Sequence, residues 1–179
     1  MTCLVQLRAM RRPEVSQVAQ WERSPENEPF IIPWSVERHV AALGDPDLLH
    51  LMVEHRDVAV GFVLLAGLLN DKKSVEFRRL VIVDKGRGYG RGAVELVKRE
   101  CFEHLKAHRL WLDVLETNDR ARALYASSGF RVEGVRRENI QKGDGFASLV
   151  LMSMLSSEYE RPPGRAPDGV APAAEQQIC

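Results

Sequence analysis

Glycine occupies every second position over a short stretch in the middle of the chain. The four glycines are Gly86, Gly88, Gly90 and Gly92. Three basic residues stand among them, namely Lys85, Arg87 and Arg91. Glycine allows successive backbone N–H groups to converge on one point, and a helix that starts there adds partial positive charge. The stretch therefore predicts a cradle for phosphate groups.

The spacing of the glycines limits which phosphate ligand fits. A P-loop is excluded because no Gly-Lys-Ser/Thr closes the stretch. A relaxed dinucleotide fingerprint does fit, as Gly88-x-Gly90-x-x-Ala93 with Asp113 further on. Apolar runs typical of a β-meander precede this unit, however, and little chain follows Asp113 for more strand–helix units. A dinucleotide-binding oxidoreductase is therefore the rival hypothesis.

A second pattern lies one predicted strand later, and it reads Asn118-x-x-Ala121-x-x-Leu124-Tyr125-x-x-x-Gly129-Phe130. With the glycine-rich stretch, it resembles the two signatures of the GNAT-type N-acetyltransferases. These are R/Q-x-x-G-x-G/A and, one strand later, N-x-x-A-x-x-L/F-Y-x-x-x-G-F. The resemblance covers roughly residues 48–155. It is closest to the branch with ribosomal-protein alanine and spermidine acetyltransferases.

The first signature fits the chain in two registers. The spacing to the helix places Lys85 at the R/Q position, followed by Gly88 and Gly90. The spacing to the strand instead favours Arg87, followed by Gly90 and Gly92. We prefer the first register and leave the second open.

The resemblance implies a fold, a cosubstrate and a reaction. The fold is an α/β domain with a mixed, mostly antiparallel seven-stranded sheet, about four flanking helices and splayed central strands. The cosubstrate is acetyl-CoA, and a primary amine (a polyamine, another small amine or a peptide N-terminus) attacks it directly in a ternary complex. A non-catalytic CoA-binding sensor of the same fold is a further alternative. The residues expected to bind the cosubstrate are Leu80, Val81, Ile82, Lys85, Gly86, Arg87, Gly88, Tyr89, Gly90, Arg91 and Asn118.

Two proton transfers are needed for this reaction. By resemblance, Tyr125 is the acid that protonates the departing CoA thiolate, a role that suits a phenol. The amine must lose a proton because an ammonium ion is not a nucleophile. The candidate bases are Glu76, Asp113 and Glu116, of which we prefer Glu76 because similar glutamates occur at this strand position in the polyamine-type relatives that the chain resembles. Regular strand alternation places Glu76 on the same face as Leu80 and Ile82.

Apolar patterns predict the elements that position these residues. We expect strands at residues 3–8, 48–54, 58–69, 75–83, 110–115, 130–135 and 146–155, and helices after Pro13, Ser35, the glycines and Asn118. The acceptor region of the family falls on the loop from Ser24 to Trp34. Its Glu26 and Glu28 are interpreted as solvated charges.

Composition narrows the remaining classes. The 25 basic and 25 acidic residues balance, so we expect neither nucleic acid nor a membrane as partner, although a homodimer is possible. Three scattered cysteines favour a reducing cytoplasm, and no Cys/His cluster predicts a metal site. We expect residues 1–157 to form the acetyltransferase domain and the Pro/Ala-rich residues 158–179 to be a disordered tail.

Overall fold

The computed structural model describes residues 5–160, and within them seven strands form one mixed sheet with the order β1-β2-β3-β4-β5-β7-β6. The strands are β1 (Gln6–Ala9), β2 (Leu48–His55), β3 (Val58–Ala66), β4 (Ser74–Ile82), β5 (Arg109–Leu115), β6 (Arg131–Lys142) and β7 (Gly145–Leu155). The α-helices are α1 (Val15–Glu22), α2 (Val36–Leu43), α3 (Tyr89–Arg99) and α4 (Asp119–Ser127). The shorter helical turns are Arg12–Glu14, Glu28–Phe30, Glu100–His104 and Ser156–Glu158. The predicted fold class is confirmed.

The sheet is antiparallel except for the central pair of β4 and β5. A dinucleotide-binding domain is instead built on an open, mostly parallel sheet. The β-meander that precedes the glycine-rich stretch in the sequence is present as β2, β3 and β4. The described part of the chain therefore lacks the architecture of the oxidoreductase alternative.

Two predicted strand limits were wrong. β3 ends at Ala66, because the following residues turn back and the Leu68 N–H donates to the Asp47 carbonyl. β6 continues to Lys142 although its second half is polar, since an edge strand pairs along one side only and exposes its side chains. Ser35 caps α2 as predicted and accepts a hydrogen bond from the Arg38 N–H.

Each face of the sheet carries its own helices. On one face, the buried residues of α3 and α4, such as Val94 and Tyr125, pack with Leu110 and Leu112 of β5. On the other face, α1 and α2 cover Met52, Phe62 and Val81. The central strands are thus buried on both sides, and a site between them is shielded by both layers.

A bulge interrupts β4 at Arg78. Leu64 of β3 pairs with Arg79, but the next residue, Leu65, pairs with Phe77, so Arg78 is the extra residue. The alternation of side chains between the two faces of β4 therefore shifts by one residue at Arg78. As a result, Phe77 packs into the same core as Leu80 and Ile82. The expectation that Glu76 shares a face with Leu80 and Ile82 was wrong, because it assumed regular pairing.

A buried ion pair joins α1 to β4. Glu22 is fully buried, and its carboxylate accepts hydrogen bonds from the Arg79 guanidinium and, at 2.6 Å, from the Trp34 N–H. Burial opposes ionisation of Glu22, but a hydrogen bond from His39 and the charge of Arg79 outweigh it and lower the pKa of that carboxyl. The same guanidinium donates to the Ile32 carbonyl at 2.7 Å. The pair therefore ties the last residues of the loop, Ile32 to Trp34, to the end of α1 and to β4.

The end of the described chain is packed against the domain. Tyr159 stacks on Phe102 with ring centroids 5.1 Å apart and donates a hydrogen bond to Glu103 at 2.7 Å. The packed chain thus continues past residue 157, while residues 161–179 of the predicted tail lie outside the described residues. None of the helices described between residues 5 and 160 has the length and apolarity to span a membrane.

Replacing Glu22 by glutamine should strongly destabilise the protein. The change leaves the guanidinium of Arg79 buried without a counter-charge, which typically costs about 3–5 kcal/mol. Urea denaturation should show a much lower midpoint for Glu22→Gln, whereas the exposed control Glu28→Gln should match the parent. Equal midpoints for both variants would contradict a structural role for the pair.

Candidate active site

β4 and β5 separate after a short stretch of pairing. Their parallel ladder joins residues 74–76 to residues 109–111 and ends at the pair Glu76 and Trp111. Beyond it, a cleft of about 980 Å³ opens between the two strands. Both strand ends and the glycine-rich stretch line it, so the predicted splay is present and leads to the predicted cradle.

The β4 side of the cleft offers unpaired backbone groups. The Val83 N–H donates to the Val60 carbonyl of β3 at 2.9 Å. Because alternate residues of an antiparallel strand point their backbone groups to the same neighbour, those of Val81 also face β3. The backbone N–H and carbonyl groups of Leu80 and Ile82 point instead into the cleft between β4 and β5. These two can pair with an extended ligand, while Val81 is buried under α1 and α2.

Left-handed glycines shape the turn between β4 and α3. Gly86 and Gly88 have φ angles of 88° and 82°, which other residues rarely adopt. The first hydrogen bond of α3 runs from the Gly92 N–H to the Gly88 carbonyl. The N–H groups of Tyr89, Gly90 and Arg91 precede it and therefore remain available to an anion, as at other helix starts.

The last glycine of the stretch serves packing. A Cβ at Gly92 would lie 2.9 Å from the Val5 side chain, so this position keeps α3 close to the start of the chain. Arg87 pairs with Asp84 at 2.5 Å and does not line the cleft, whereas Lys85, Gly88 and Gly90 do. This placement favours the register that begins at Lys85.

The side chains of the stretch differ in availability. Lys85 reaches across the cleft to Glu26, at 3.2 Å from its carboxylate and 3.1 Å from its carbonyl. Arg91 is exposed and donates to Ser127 of α4 at 2.9 Å. The ring of Tyr89 is buried in the core, so only its backbone can contribute to a phosphate site.

Asn118 and Tyr125 approach the cleft from α4. Asn118 caps the helix, with its side-chain oxygen accepting from the Ala121 N–H at 3.1 Å. Tyr125 packs edge-on against Phe77 and Phe130, with ring centroids 5.8 Å and 5.7 Å away. Both residues line the cleft. Burial raises the pKa of Tyr125, which keeps the phenol protonated.

The three candidate bases are placed differently. Asp113 lines the cleft from β5, whereas Glu76 and Glu116 do not. Glu76 is bound by Arg78 through two hydrogen bonds of 2.6 Å and 3.2 Å. Burial and the nearby charge of Glu76 raise the pKa of Asp113, against the opposing effect of Arg136 at 3.3 Å.

Sequence reasoning missed the pair of Glu22 and Arg79, of which Arg79 lines the cleft. A signal was present, because Glu22 continues the apolar face of Val15, Val18 and Ala19 at helical spacing. A carboxylate on a buried helix face requires a partner. Its partner, however, lies far along the chain and could not be chosen from spacing.

Comparisons with known proteins concern the family and the fold. Residues 15–130 match the model of the Acetyltransferase (GNAT) family. Uncharacterized N-acetyltransferases of Mycobacterium tuberculosis and Mycobacterium bovis are 31% identical over 103 residues, which is 57% of this chain and 65% of theirs. The match thus spans less than two thirds of these relatives' length.

Solved structures share the fold at low sequence identity. The spermidine N-acetyltransferase of Vibrio cholerae in complex with CoA and spermine has a TM-score of 0.79 and 22% identity, covering 87% of this chain and 97% of its own. A dodecameric form of that enzyme gives a TM-score of 0.75 and 23% identity, with 87% and 96% covered. The family-model match, together with this fold, shows that the chain belongs to the Acetyltransferase (GNAT) family.

Proposed function

We propose that this protein transfers an acetyl group from acetyl-CoA to a primary amine in a ternary complex. The observation that carries the proposal is the convergence of three features on one cleft. These are the open backbone edge of β4, the N–H groups at the start of α3, and the Tyr125 phenol. Each suits one part of acetyl-CoA: the extended pantetheine, the pyrophosphate and the sulfur.

Binding is divided along the cleft. The backbone of Leu80 and Ile82 pairs with the amides of the pantetheine arm, and the free N–H groups at the start of α3 hold the pyrophosphate. Arg91 adds positive charge, Lys85 contributes through its backbone because its side chain is paired with Glu26, and Asn118 offers its side-chain amide. In this division Gly86 and Gly88 shape the turn, while Val81 and Arg87 support it from outside the cleft.

The reaction balances with the residues present. Bound acetyl-CoA supplies a thioester. The amine nitrogen forms a bond to the thioester carbonyl carbon, and the carbon–sulfur bond breaks with its electron pair remaining on sulfur. Tyr125 gives its proton to that sulfur and is reprotonated, through solvent, by the second proton that the amine nitrogen loses as the amide forms.

We assign the second proton transfer to Asp113, with Glu76 in support. Asp113 borders the space where an amine can approach, directly or through a water molecule, and partial burial makes its carboxylate a better base. The charge of Glu76 raises the basicity of Asp113 further. Glu76 is thus a positioning residue that tunes the base.

Acetyl-CoA should bind and NAD should not, which calorimetry can measure for both ligands. Arg91→Ala should weaken acetyl-CoA binding roughly fivefold, since an exposed ion pair contributes at most about 1 kcal/mol. The matched control Lys72→Ala removes an exposed charge in the β3–β4 turn and should leave the affinity unchanged. Tight NAD binding without a response to acetyl-CoA would overturn the proposed function.

Tyr125→Phe should lower kcat by roughly 10²–10⁴, as is typical when a general acid is lost. The ring remains, so its contacts with Phe77 and Phe130 should persist and the melting temperature and acetyl-CoA affinity should change little. Steady-state kinetics with calorimetry on the same sample separate these quantities. Unchanged turnover would leave Tyr125 as a packing residue.

The pH dependence of kcat should identify the base. An ionised Asp113 is required, so activity is present above its raised pKa and falls as pH drops through it. Asp113→Asn should reduce kcat and remove this acidic limb. Glu76→Gln should move the limb to lower pH, because removing a neighbouring negative charge lowers the pKa of Asp113.

The control for this experiment is Asp71→Asn, which removes an exposed carboxylate in the β3–β4 turn. Its pH profile should match that of the parent. If Glu76→Gln abolished the acidic limb while Asp113→Asn retained it, the roles of the two carboxylates would be reversed.

A further inference from the structure

A group of apolar side chains lines the cleft under the loop that follows α1. Five of its lining residues are Phe30, Ile31, Ile32, Ile140 and Leu149. Two of them are large and poorly covered, since Phe30 is 42% and Ile32 64% exposed. Exposed apolar side chains grouped at the mouth of a cleft are typical of a binding surface.

The β6–β7 hairpin completes this apolar wall. Ile140 and Leu149 project from the same face of the sheet as Asp113. Leu149 lies two residues from Leu151, which pairs with Asp113, and two residues from Ala147, which pairs with Ile140. The side chain of Lys142 donates to the Pro29 carbonyl and ties the hairpin to the loop. An amine that reaches Asp113 therefore passes between apolar side chains from two segments.

The carboxylates that line the cleft are already paired with basic side chains. Four lining residues are acidic, and each is within 3.3 Å of a basic group: Glu26 with Lys85, Asp84 with Arg87, Asp113 with Arg136, and Asp119 with Arg122. Glu76, beside the cleft, is likewise held by Arg78 at 2.6 Å. A ligand with several positive charges would have to displace these partners.

The two arginines that line the cleft are paired in the same way, Arg78 with Glu76 and Arg79 with Glu22. Among the described residues that line the cleft, no carboxylate is therefore left unpaired to receive a further cation. A polyamine carries further ammonium groups beside the one that reacts, and each must leave water without an unpaired carboxylate to receive it. A single amine on an apolar body meets no such cost and covers the exposed side chains of Phe30 and Ile32.

We propose that the acceptor is a monoamine on an apolar body, recognised by the apolar wall of Phe30, Ile31, Ile32, Ile140 and Leu149, and not a polyamine. This inference rests on the proposed function. Two sources share this chemistry, namely a free arylalkyl amine and the N-terminus of a peptide whose first residues are apolar.

Thiol release from acetyl-CoA should be measured with 2-phenylethylamine, with a peptide starting Ala-Phe, with a peptide starting Lys-Lys, and with spermidine. The better apolar acceptor should exceed spermidine by about a hundredfold in kcat/KM, since one apolar group can change discrimination by about 10–200-fold. Comparing the first two acceptors identifies the source. A kcat/KM for spermidine equal to or above both would overturn the inference.

Ile32→Glu adds an uncompensated carboxylate to the apolar wall and should raise the ratio of spermidine to apolar acceptor at least tenfold. Its control, Leu69→Glu, changes a residue of similar exposure (68% against 64%) in the turn before β4 and should leave that ratio unaltered. An unaltered ratio in both variants would overturn the role of the wall.

The acetyl-CoA affinity of the same preparation distinguishes failure of this inference from failure of the proposed function. Preferred transfer to spermidine by a protein that binds acetyl-CoA removes only this inference. Absence of transfer to every amine by such a protein would overturn the proposed function and this inference together.

Discussion

The separation of β4 from β5 is the constraint on which the candidate site depends. Parallel pairing between them stops at Glu76 and Trp111, which leaves one edge of β4 without a partner inside the domain. Unpaired backbone groups in a buried setting require hydrogen bonds. A cleft with such an edge is therefore suited to an extended ligand rich in amides, and α3 begins at the end of the same strand.

The loop opposite this edge is held by charge inside the fold. Glu22 and Arg79 are paired between α1 and β4, and together they bind the backbone at Trp34 and Ile32. Exposed apolar residues can stay at the cleft mouth because the backbone beneath them is fixed. The buried ion pair on one face of the sheet thus determines the shape of the cleft mouth.

The sequence was sufficient for the order of elements and for the turn between β4 and α3. The alternating glycines and the Asn118–Phe130 pattern are local, so their spacing along the chain determines the turn and the helix that they form. The caps at Ser35 and Asn118 followed from the same local rules.

What could not be predicted depends on pairing between distant segments. The bulge at Arg78 reverses which residues of β4 share a face, and no property of that strand alone specifies it. The choice of base among Glu76, Asp113 and Glu116 depends on which of them lines the cleft, and that is determined by where β4 and β5 separate. The partner of Glu22 likewise depends on how α1 lies across β4.

Hydrogen–deuterium exchange with and without acetyl-CoA reports on the backbone groups that the open edge of β4 leaves available. Exchange should slow on ligand addition in peptides covering residues 80–91 and 113–125, where the strand edge, the start of α3 and α4 meet. Peptides from β1 and the first half of β2, which are paired in the ladder, should exchange at the same rate in both states. Unchanged exchange over residues 80–91 under saturating acetyl-CoA, or protection confined to regions outside the cleft, would contradict binding of acetyl-CoA along the open edge of β4.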